Sequence, residues 1–364
     1  MPEPAGITTA RTVAIHSPPT STCEMGQTLG AARYAFFTFL PDHFFAKLPT
    51  IDVDLTGRTF LVTGSNTGLG LASAIQLARM KPAHLILGVR DLSKGMKAKD
   101  EIIAQTNYAG TIDVWELDMA RFDSVKSFAE KSAATLGRLD GAIINAGITS
   151  PPRYIMSPDG WEMTNLDAGW SLSLQVNGIA TGLLAVLLLP LLQVTTKLPP
   201  SHPDAHQTPP HLTITGSAGT HPFPIHLDII SESIKMSKDR YAISKLFNLF
   251  FAREIAALPQ AQGVVVNVVD PGMCVSDIGR DRKLGRFALW LYHTVAWPIS
   301  KGAINMIYAA LMPTPPGAFI SSCEIRSPPA WTCKKEGLQL QKKVWDEMIE
   351  VWRGVAPEID NIIR

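Results

Sequence analysis

The sequence has little cysteine and almost no net charge. Its 364 residues include 4 Cys with no C-x-x-C pair, so neither a zinc site nor a disulfide framework is expected. The 33 Lys and Arg are balanced by 32 Asp and Glu, and a net charge of +1 provides no field to attract nucleic acid or acidic lipid. We therefore expect a cytoplasmic protein that holds no metal and binds no nucleic acid.

Uninterrupted apolar runs of membrane-spanning length are also missing. The first 22 residues lack the cationic and apolar regions of a secretory signal, and the run 181–192 is shorter than the roughly 20 residues that span a bilayer. Residues 29–40 and 181–192 are predicted to be buried helical segments. Residues 287–312 are apolar but interrupted, and they predict a lid or pocket wall, with peripheral membrane association as the alternative.

Hydrophobic residues make up 46% of the chain, enough for one large globular unit with a sizeable core. Short β-rich runs alternate with segments of helical period from residue 59 onward, which predicts an α/β fold. We expect a Rossmann-type doubly wound parallel sheet of about seven strands with helices on both faces. The predicted strands are 59–64, 84–90, 111–118, 140–147, 211–217, 263–270 and 318–324, of which all but the fifth and seventh are apolar enough to be covered on both faces.

Three regions are predicted along the chain. Residues 1–54 form an N-terminal extension that is partly flexible, and residues 55–330 form the catalytic domain. Within that domain, residues 195–211 are proline-rich and predict a surface loop, while 273–312 predict a substrate lid. Residues 331–364 form a helical tail, because apolar residues recur there at helical spacing between charges.

The segment TGSNTGLG, residues 63–70, lies directly between the first strand and the first helix. Gly64 permits the tight turn out of the strand, Gly68 lets the backbone approach a pyrophosphate, and Gly70 lets the helix pack close to the sheet. Backbone N–H groups at the helix N-terminus then face the anion. The segment therefore predicts a dinucleotide-binding loop, and the alternative is an ordinary glycine-rich turn.

The spacing T-G-x-x-x-G-x-G resembles that of the short-chain dehydrogenase/reductase family, and other marks of the family follow in order. They are the N-A-G at 145–147, Asn177, Ser217, the Y-x-x-x-K of Tyr241 and Lys245, the P-G at 271–272, and Ser276. The resemblance implies that Ser217, Tyr241, Lys245 and Asn177 are catalytic. It implies that the cofactor is bound by Gly64, Ser65, Asn66, Gly68, Leu69, Gly70, Arg90, Asp118, Asn145, Tyr241, Lys245, Pro271 and Ser276.

Tyr241 and Lys245 have a chemical reason to occur together. At positions i and i+4 they share one helix face, so the ammonium can lower the pKa of a phenol that is near 10 when unperturbed. Tyr241 is then predicted to be the general acid for carbonyl reduction, or the base for alcohol oxidation. Ser217 would hydrogen-bond the substrate oxygen, Lys245 would also hold the nicotinamide ribose, and Asn177 would complete the proton path.

The residue after the second strand decides the choice of cofactor. An acidic side chain there would accept hydrogen bonds from the ribose 2′-OH of NAD, whereas Arg90 can pair with a 2′-phosphate. The sequence therefore favours NADP(H), with Asp91 turning inward as the alternative. The resemblance also implies that Asp118 contacts the adenine amino group.

The substrate is predicted to be hydrophobic. Apolar and aromatic residues between 273 and 297 lie where the family closes over its substrate, and they favour a large apolar molecule. His221 and His226 are interpreted as loop residues. The N-terminal FFTFLPDHFF and C-terminal KKEGLQLQKKVWDEMIEV are similar to segments of fungal family members in secondary-metabolite pathways, which implies a polyketide or terpenoid substrate.

Two further points stay open at this stage. The helices predicted at 165–192 and 240–258 match the two that form a shared bundle in family members, which implies a homodimer or homotetramer; burial against the sheet alone is the alternative. The rival functions are a non-catalytic NADP-binding scaffold and an enzyme that couples redox to dehydration or rearrangement.

Overall fold

Eight strands form one sheet in the order β3-β2-β1-β4-β5-β6-β7-β8. The computed structural model describes residue 44 and residues 46–149, 158–159, 172–202, 208–217, 240–275 and 294–364. The strands are Thr59–Thr63 (β1), His84–Val89 (β2), Thr111–Glu116 (β3), Gly141–Ile144 (β4), His211–Thr215 (β5), Val265–Asp270 (β6), Ala318–Ser321 (β7) and Glu324–Arg326 (β8). The first seven are parallel, which confirms the predicted doubly wound sheet.

The structure corrects two details of the predicted sheet. An eighth strand, β8, pairs antiparallel with β7 beyond the predicted seven. The third strand is not covered on both faces, because β3 lies at the sheet edge and only two of its six residues are buried. The central strands β1, β4 and β5 are buried at every residue, as expected for parallel strands between two helical layers.

Alternate residues of the strands supply two separate cores. Phe60 and Val62 face one core and Leu61 faces the other, because successive side chains of a strand point to opposite faces. The first core includes the helices Gly68–Arg79 (α1), Leu92–Thr106 (α2) and, further along the chain, Ile299–Leu311. The second includes Phe122–Thr135 (α3), Leu172–Thr195 (α4), Arg240–Ala256 (α5) and the tail.

Helix α4 is longer than the 12-residue apolar run suggested. It has 24 residues with a mean hydropathy of 2.0 in its most apolar window, enough by length and composition to cross a membrane. However, 72% of that window is buried inside the protein, and α4 contributes most of its leucines to the second core. The prediction of a buried helix therefore agrees with its packing.

The helix Ile299–Leu311 (α6) lies at the C-terminal end of the region predicted to be a lid. Seven of its apolar or small residues are buried, and it packs on α1 and the sheet. The lid around 273–312 stays a prediction. Residues 276–293 of that region lie outside the described residues, as do residues 1–43 and most of 203–239.

The C-terminal helix Lys335–Val355 (α7) packs against α4 and α5. Its Trp345 and Trp352 form an aromatic cluster with Phe251 of α5, with ring centroids 5.3 to 6.3 Å apart. Gly182 of α4 allows the approach, because a Cβ there would lie 2.6 Å from Trp352 and 2.7 Å from Phe251. The tail thus covers part of the surface where a shared bundle was expected; the oligomeric state stays a prediction.

We expect Gly182→Ala to lower the free energy of unfolding by about 1–2 kcal/mol. Overpacking a core costs about 1–3 kcal/mol, and the three ring atoms under 3.0 Å from the added Cβ place this site in the upper part of that range. Replacing a helical glycine gains about 1 kcal/mol, which leaves a net loss of about 1–2 kcal/mol. Urea denaturation measures the change. Gly137→Ala, where a Cβ would meet nothing within 4 Å, is the control and should change stability by less than about 0.5 kcal/mol. An unchanged or raised stability of Gly182→Ala would contradict this packing.

Candidate active site

The predicted site residues follow the carboxyl ends of six adjacent strands. Across the order β3-β2-β1-β4-β5-β6, these positions are Asp118, Arg90, the loop after Thr63, Asn145, Ser217 and Pro271. Because the strands are parallel, all these ends lie along one edge of the sheet. Neighbouring strands are about 4.8 Å apart, so the row is about 24 Å long. The strand order reverses between β1 and β4, which is where open α/β sheets bind ligands.

The glycine-rich loop is tightly constrained at both ends. Gly64 has a φ of +64°, and a Cβ there would lie 2.8 Å from the Cα of Ala146. A Cβ on Gly70 would lie 2.3 Å from the carbonyl oxygen of Gly64, so the first turn of α1 packs directly on the loop. These contacts match the roles predicted for the two glycines.

The loop is fixed to the end of β4 by polar contacts. The Thr63 hydroxyl accepts hydrogen bonds from the backbone N–H groups of Asn145 (2.9 Å) and Ala146 (3.0 Å). In return, the Asn145 amide donates to the Thr63 carbonyl at 3.0 Å. Thr63 was not predicted as a site residue; its place at the start of the glycine motif was the available signal.

The surroundings of Gly68 and Ser65 in the loop are compatible with a bound dinucleotide. Gly68 has a φ of +59°, and a Cβ there would meet nothing within 4 Å, so the backbone faces open space at the start of α1. The Ser65 hydroxyl is fully buried and, among the described residues, has no hydrogen-bond partner. Asn66, next to Ser65, and Leu69, next to Gly68, are half-buried. An oxygen-rich ligand lying on Gly68 would offer Ser65 an acceptor.

Arg90 and Asp91 have different roles at the end of β2. Arg90 is exposed, whereas the Asp91 carboxylate accepts hydrogen bonds from the backbone N–H groups of Ser93 (2.9 Å) and Lys94 (3.2 Å) and caps α2. The hydrogen bond from Lys94, followed by that from Ser93, holds the pKa of Asp91 below its usual range. One oxygen of Asp118 likewise accepts from the Ala120 N–H at 3.0 Å.

Lys245 is buried at the carboxyl end of β5. It is 4% exposed, and its Nζ donates to the Thr215 carbonyl at 3.0 Å. The amide of Asn248 donates to the same carbonyl at 2.9 Å. Burial lowers the pKa of Lys245 to about 8, because the charged ammonium loses its hydration. The amine therefore changes its protonation state near physiological pH. Its acceptor residue, Thr215, lies two residues before Ser217.

Asn177 is fully buried in a π-helical turn, Gln175–Ile179, inside α4. Its side-chain oxygen accepts from the Ile148 N–H, and its amide nitrogen donates to the Ile148 carbonyl, both at 2.8 Å. The same nitrogen donates to Ser244 at 3.1 Å, and the Ser244 hydroxyl donates to the Tyr241 carbonyl at 2.7 Å. Asn177 thus links the N-A-G segment to α5.

The structure brings some of the predicted site residues close together. A Cβ on Gly147 would lie 3.2 Å from the Asn177 Oδ1 and 3.6 Å from the Lys245 Nζ, so these two groups meet beside the N-A-G segment. Tyr241 and Ser217 are half-buried, one turn before Lys245 and two residues after β5. Pro271 is buried after β6, and Gly272 follows with a φ of +76°. Ser276 lies outside the described residues.

Sequence reasoning missed the groups that hold the site residues in place. Thr63, the Thr215 carbonyl and Ser244 bond directly to predicted residues, and Asn248 donates to the same Thr215 carbonyl as Lys245. Ser244 lies within the YAISK motif, so its position was a signal. The Thr215 carbonyl is a backbone group, and no residue type could have revealed it. Among the described residues, no group of His, Cys, Asp and Glu side chains could hold a metal ion.

Comparisons with known proteins agree with this geometry. The family profile of short chain dehydrogenases matches residues 58–197. The short chain dehydrogenase/reductase dmxR8 of Cryptosporiopsis sp. is 32% identical over 340 residues, covering 89% of this chain and 99% of the relative. The short-chain dehydrogenase/reductase ffsI of Aspergillus flavipes is 30% identical, covering 87% and 93%. The chain belongs to the short-chain dehydrogenase/reductase family, and its predicted likeness to fungal members is confirmed.

Solved structures share the fold. A short chain dehydrogenase of Shigella flexneri complexed with NADP has a TM-score of 0.52 and 19% identity, covering 75% of this chain and all of the other. One of Escherichia coli CFT073 complexed with NADPH has a TM-score of 0.53 and 22% identity, covering 75% and 99%. Both confirm the Rossmann-type architecture. Family membership makes the protein an oxidoreductase.

Burial of Lys245 predicts a pH-dependent stability. The unfolded lysine keeps its proton up to about pH 10.4, whereas the folded one loses it near pH 8, so the unfolded state binds more protons between these values. The stability contributed by this group therefore rises with pH across that window. We expect the difference in unfolding free energy, wild type minus Lys245→Met, to rise by about 2 kcal/mol from pH 8 to pH 10.

Urea denaturation across this pH range measures the difference. The variant removes the titrating amine, and groups that do not interact with Lys245 contribute equally to both proteins, so their contributions cancel. Lys97→Met, which changes an exposed lysine of α2, is the control and should show a flat difference. A flat difference for Lys245→Met as well would contradict the lowered pKa.

Proposed function

We propose that the protein is an NADP(H)-dependent short-chain oxidoreductase that reduces a ketone, or oxidises a secondary alcohol, on a hydrophobic substrate. The observation that carries the proposal is Lys245, a buried amine with a lowered pKa, bonded to the end of β5 one helical turn after Tyr241. A buried titrating amine one helical turn from a tyrosine can shift the pKa of that phenol, as general acid catalysis requires.

In the direction of reduction, hydride adds to the carbonyl carbon and the Tyr241 phenol gives its proton to the carbonyl oxygen. NADPH, when bound, supplies the hydride. The ammonium of Lys245 favours the phenolate left on Tyr241, and Ser217 donates a hydrogen bond to the developing alkoxide. Asn177 keeps the segment after β4 against α5 through Ile148 and Ser244, and it lies on the route by which Tyr241 regains a proton.

The choice of NADP(H) rests on the two residues after β2. Arg90 is exposed at the carboxyl edge, so its guanidinium is available to pair with a 2′-phosphate. The Asp91 carboxylate is engaged at the N-terminus of α2, which argues against its accepting bonds from a ribose 2′-OH. Gly64, Ser65, Asn66, Gly68, Leu69, Gly70, Asp118, Asn145 and Pro271 would hold the rest of the cofactor, with Ser276 at the nicotinamide.

The substrate is proposed to be a fungal secondary metabolite such as a polyketide or terpenoid. Support comes from relatives in Cryptosporiopsis, Aspergillus flavipes and Phaeosphaeria nodorum that match most of this chain. Cytoplasmic residence is proposed because, among the described residues, Cys274, Cys323 and Cys333 form no disulfide bond. A substrate lid around residues 273–312 stays part of the proposal.

We expect Tyr241→Phe to lower turnover by about 10²–10⁴-fold, because the variant lacks the proton that the alkoxide takes. NADPH oxidation with a panel of hydrophobic ketones measures the rate. Cofactor affinity should stay within about threefold, since the ring is kept. Tyr308→Phe, which changes a half-buried tyrosine on α6, is the control and should keep full activity.

The same panel separates the rival functions. Retained activity in Tyr241→Phe would overturn the role of the phenol. A wild-type protein that binds NADPH and turns over no ketone would favour the non-catalytic scaffold. Product mass distinguishes the remaining alternative, because simple reduction adds two hydrogens and coupled dehydration also removes water.

We expect Arg90→Gln to weaken NADPH binding by about 10- to 100-fold, the loss of about one charge-assisted bidentate pair. NADH binding should change by less than about threefold, because NADH lacks the 2′-phosphate. Thermal-shift titration with NADPH, NADP+, NADH and NAD+ measures these affinities. Arg79→Gln, at the far end of α1, is the matched control. Equal or tighter binding of NADH by the wild type would overturn the proposed NADP(H) preference.

A further inference from the structure

The buried indole of Trp352 makes one hydrogen bond across the helical layer. Trp352 is fully buried in the C-terminal helix α7, and its Nε1 donates to the carbonyl of Ile179 at 3.0 Å. Ile179 is the last residue of the π-helical turn in α4 that contains Asn177. A side chain 173 residues away along the chain is therefore bonded to the turn that carries a catalytic candidate.

A π-helical turn has a weaker intrinsic preference than a regular helix, so its persistence depends on its surroundings. Two side chains outside the turn donate hydrogen bonds to its carbonyl groups. The Thr181 hydroxyl donates to the Val176 carbonyl at 3.0 Å, and Trp352 donates to the carbonyl of Ile179. Asn177 lies between these two carbonyls along the chain. Its orientation is therefore sensitive to both bonds.

Packing of the aromatic cluster fixes the position of the indole. The Trp352 ring lies 5.3 Å from Phe251 and 5.6 Å from Trp345, measured between centroids. Gly182, on the next turn of α4, leaves the space that the ring fills. A side chain held on several sides transmits its position to the group it bonds. The Nε1 bond thus ties the register of α4 to the tail.

We propose that Trp352 is a positioning residue for catalysis, which holds the π-helical turn so that Asn177 keeps its bonds to Ile148 and Ser244. The consequence reaches Tyr241, because Ser244 donates to the Tyr241 carbonyl at 2.7 Å. The tail, residues 331–364, thereby contributes to turnover. This inference rests on the proposed function, because it treats Asn177 and Tyr241 as members of the proton path.

The test compares Trp352→Phe with Trp345→Phe. Both variants keep an aromatic ring in the cluster, and only the first removes the donor to Ile179; among the described residues, Trp345 makes no hydrogen bond to the π-helical turn. Trp352→Phe is expected to lower kcat by about tenfold, since small misplacements of catalytic groups cost this much or more. The KM for NADPH should be unchanged, and Trp345→Phe should change kcat by less than about twofold.

A double-mutant cycle with Asn177→Ala separates positioning from general destabilisation. If Trp352 acts through Asn177, Trp352→Phe should lower kcat by less than about twofold further in the Asn177→Ala background. Equal losses of kcat in both backgrounds, or equal losses in Trp352→Phe and Trp345→Phe, would overturn the proposal.

Amide hydrogen exchange of residues 175–183 gives a second readout that needs no substrate. Trp352→Phe should raise exchange in this segment by about tenfold or more, whereas Trp345→Phe should leave it unchanged. Unchanged exchange in Trp352→Phe would overturn the proposal by itself. A wild-type protein without turnover would instead count against the proposed function, and the exchange result would still decide whether Trp352 holds the turn.

Discussion

The contact between the ends of β1 and β4 is the constraint on which the candidate site depends. The Thr63 hydroxyl accepts two backbone N–H groups of the N-A-G segment, and the Asn145 amide returns a bond to the Thr63 carbonyl. This exchange closes the junction where the strand order reverses. The glycine loop lies on one side of the junction and the Asn177 and Lys245 groups lie on the other.

The strand order determines which predicted site residues are neighbours along the carboxyl edge of the sheet. In the proposed complex, residues after β2 and β3 would meet the adenosine end of a dinucleotide and residues after β5 and β6 the nicotinamide end, because the loop at β1 lies between them. Burial at this edge lowers the pKa of Lys245. Its ammonium form is disfavoured because burial removes its hydration, and the hydrogen bond to the Thr215 carbonyl, a neutral acceptor, does not offset this loss.

Much of this arrangement could be predicted from sequence, because parallel strands and the glycine loop have strong local patterns. The seven parallel strands begin and end within three residues of their predicted bounds. The eighth strand could not be predicted, because its turn uses Ser322 and Cys323 at positive φ (54° and 57°) where a glycine or asparagine would be expected. The Asn305 side chain accepts the Cys323 N–H at 2.8 Å and holds this turn from a distant helix. Long-range contacts of this kind leave no local pattern.

The tail makes a second long-range contact that no local sequence pattern could predict. Helical spacing predicts α7, and the indole rings predict burial, but a buried indole also requires an acceptor for its N–H. Carbonyls of a regular helix already accept a bond within the helix, so a buried indole seeks a carbonyl with a remaining lone pair that faces it. Ile179, at the end of the π-helical turn, provides one at 3.0 Å. A single contact thus gives the indole its acceptor and joins the tail to the irregular turn of α4, the helix that carries Asn177.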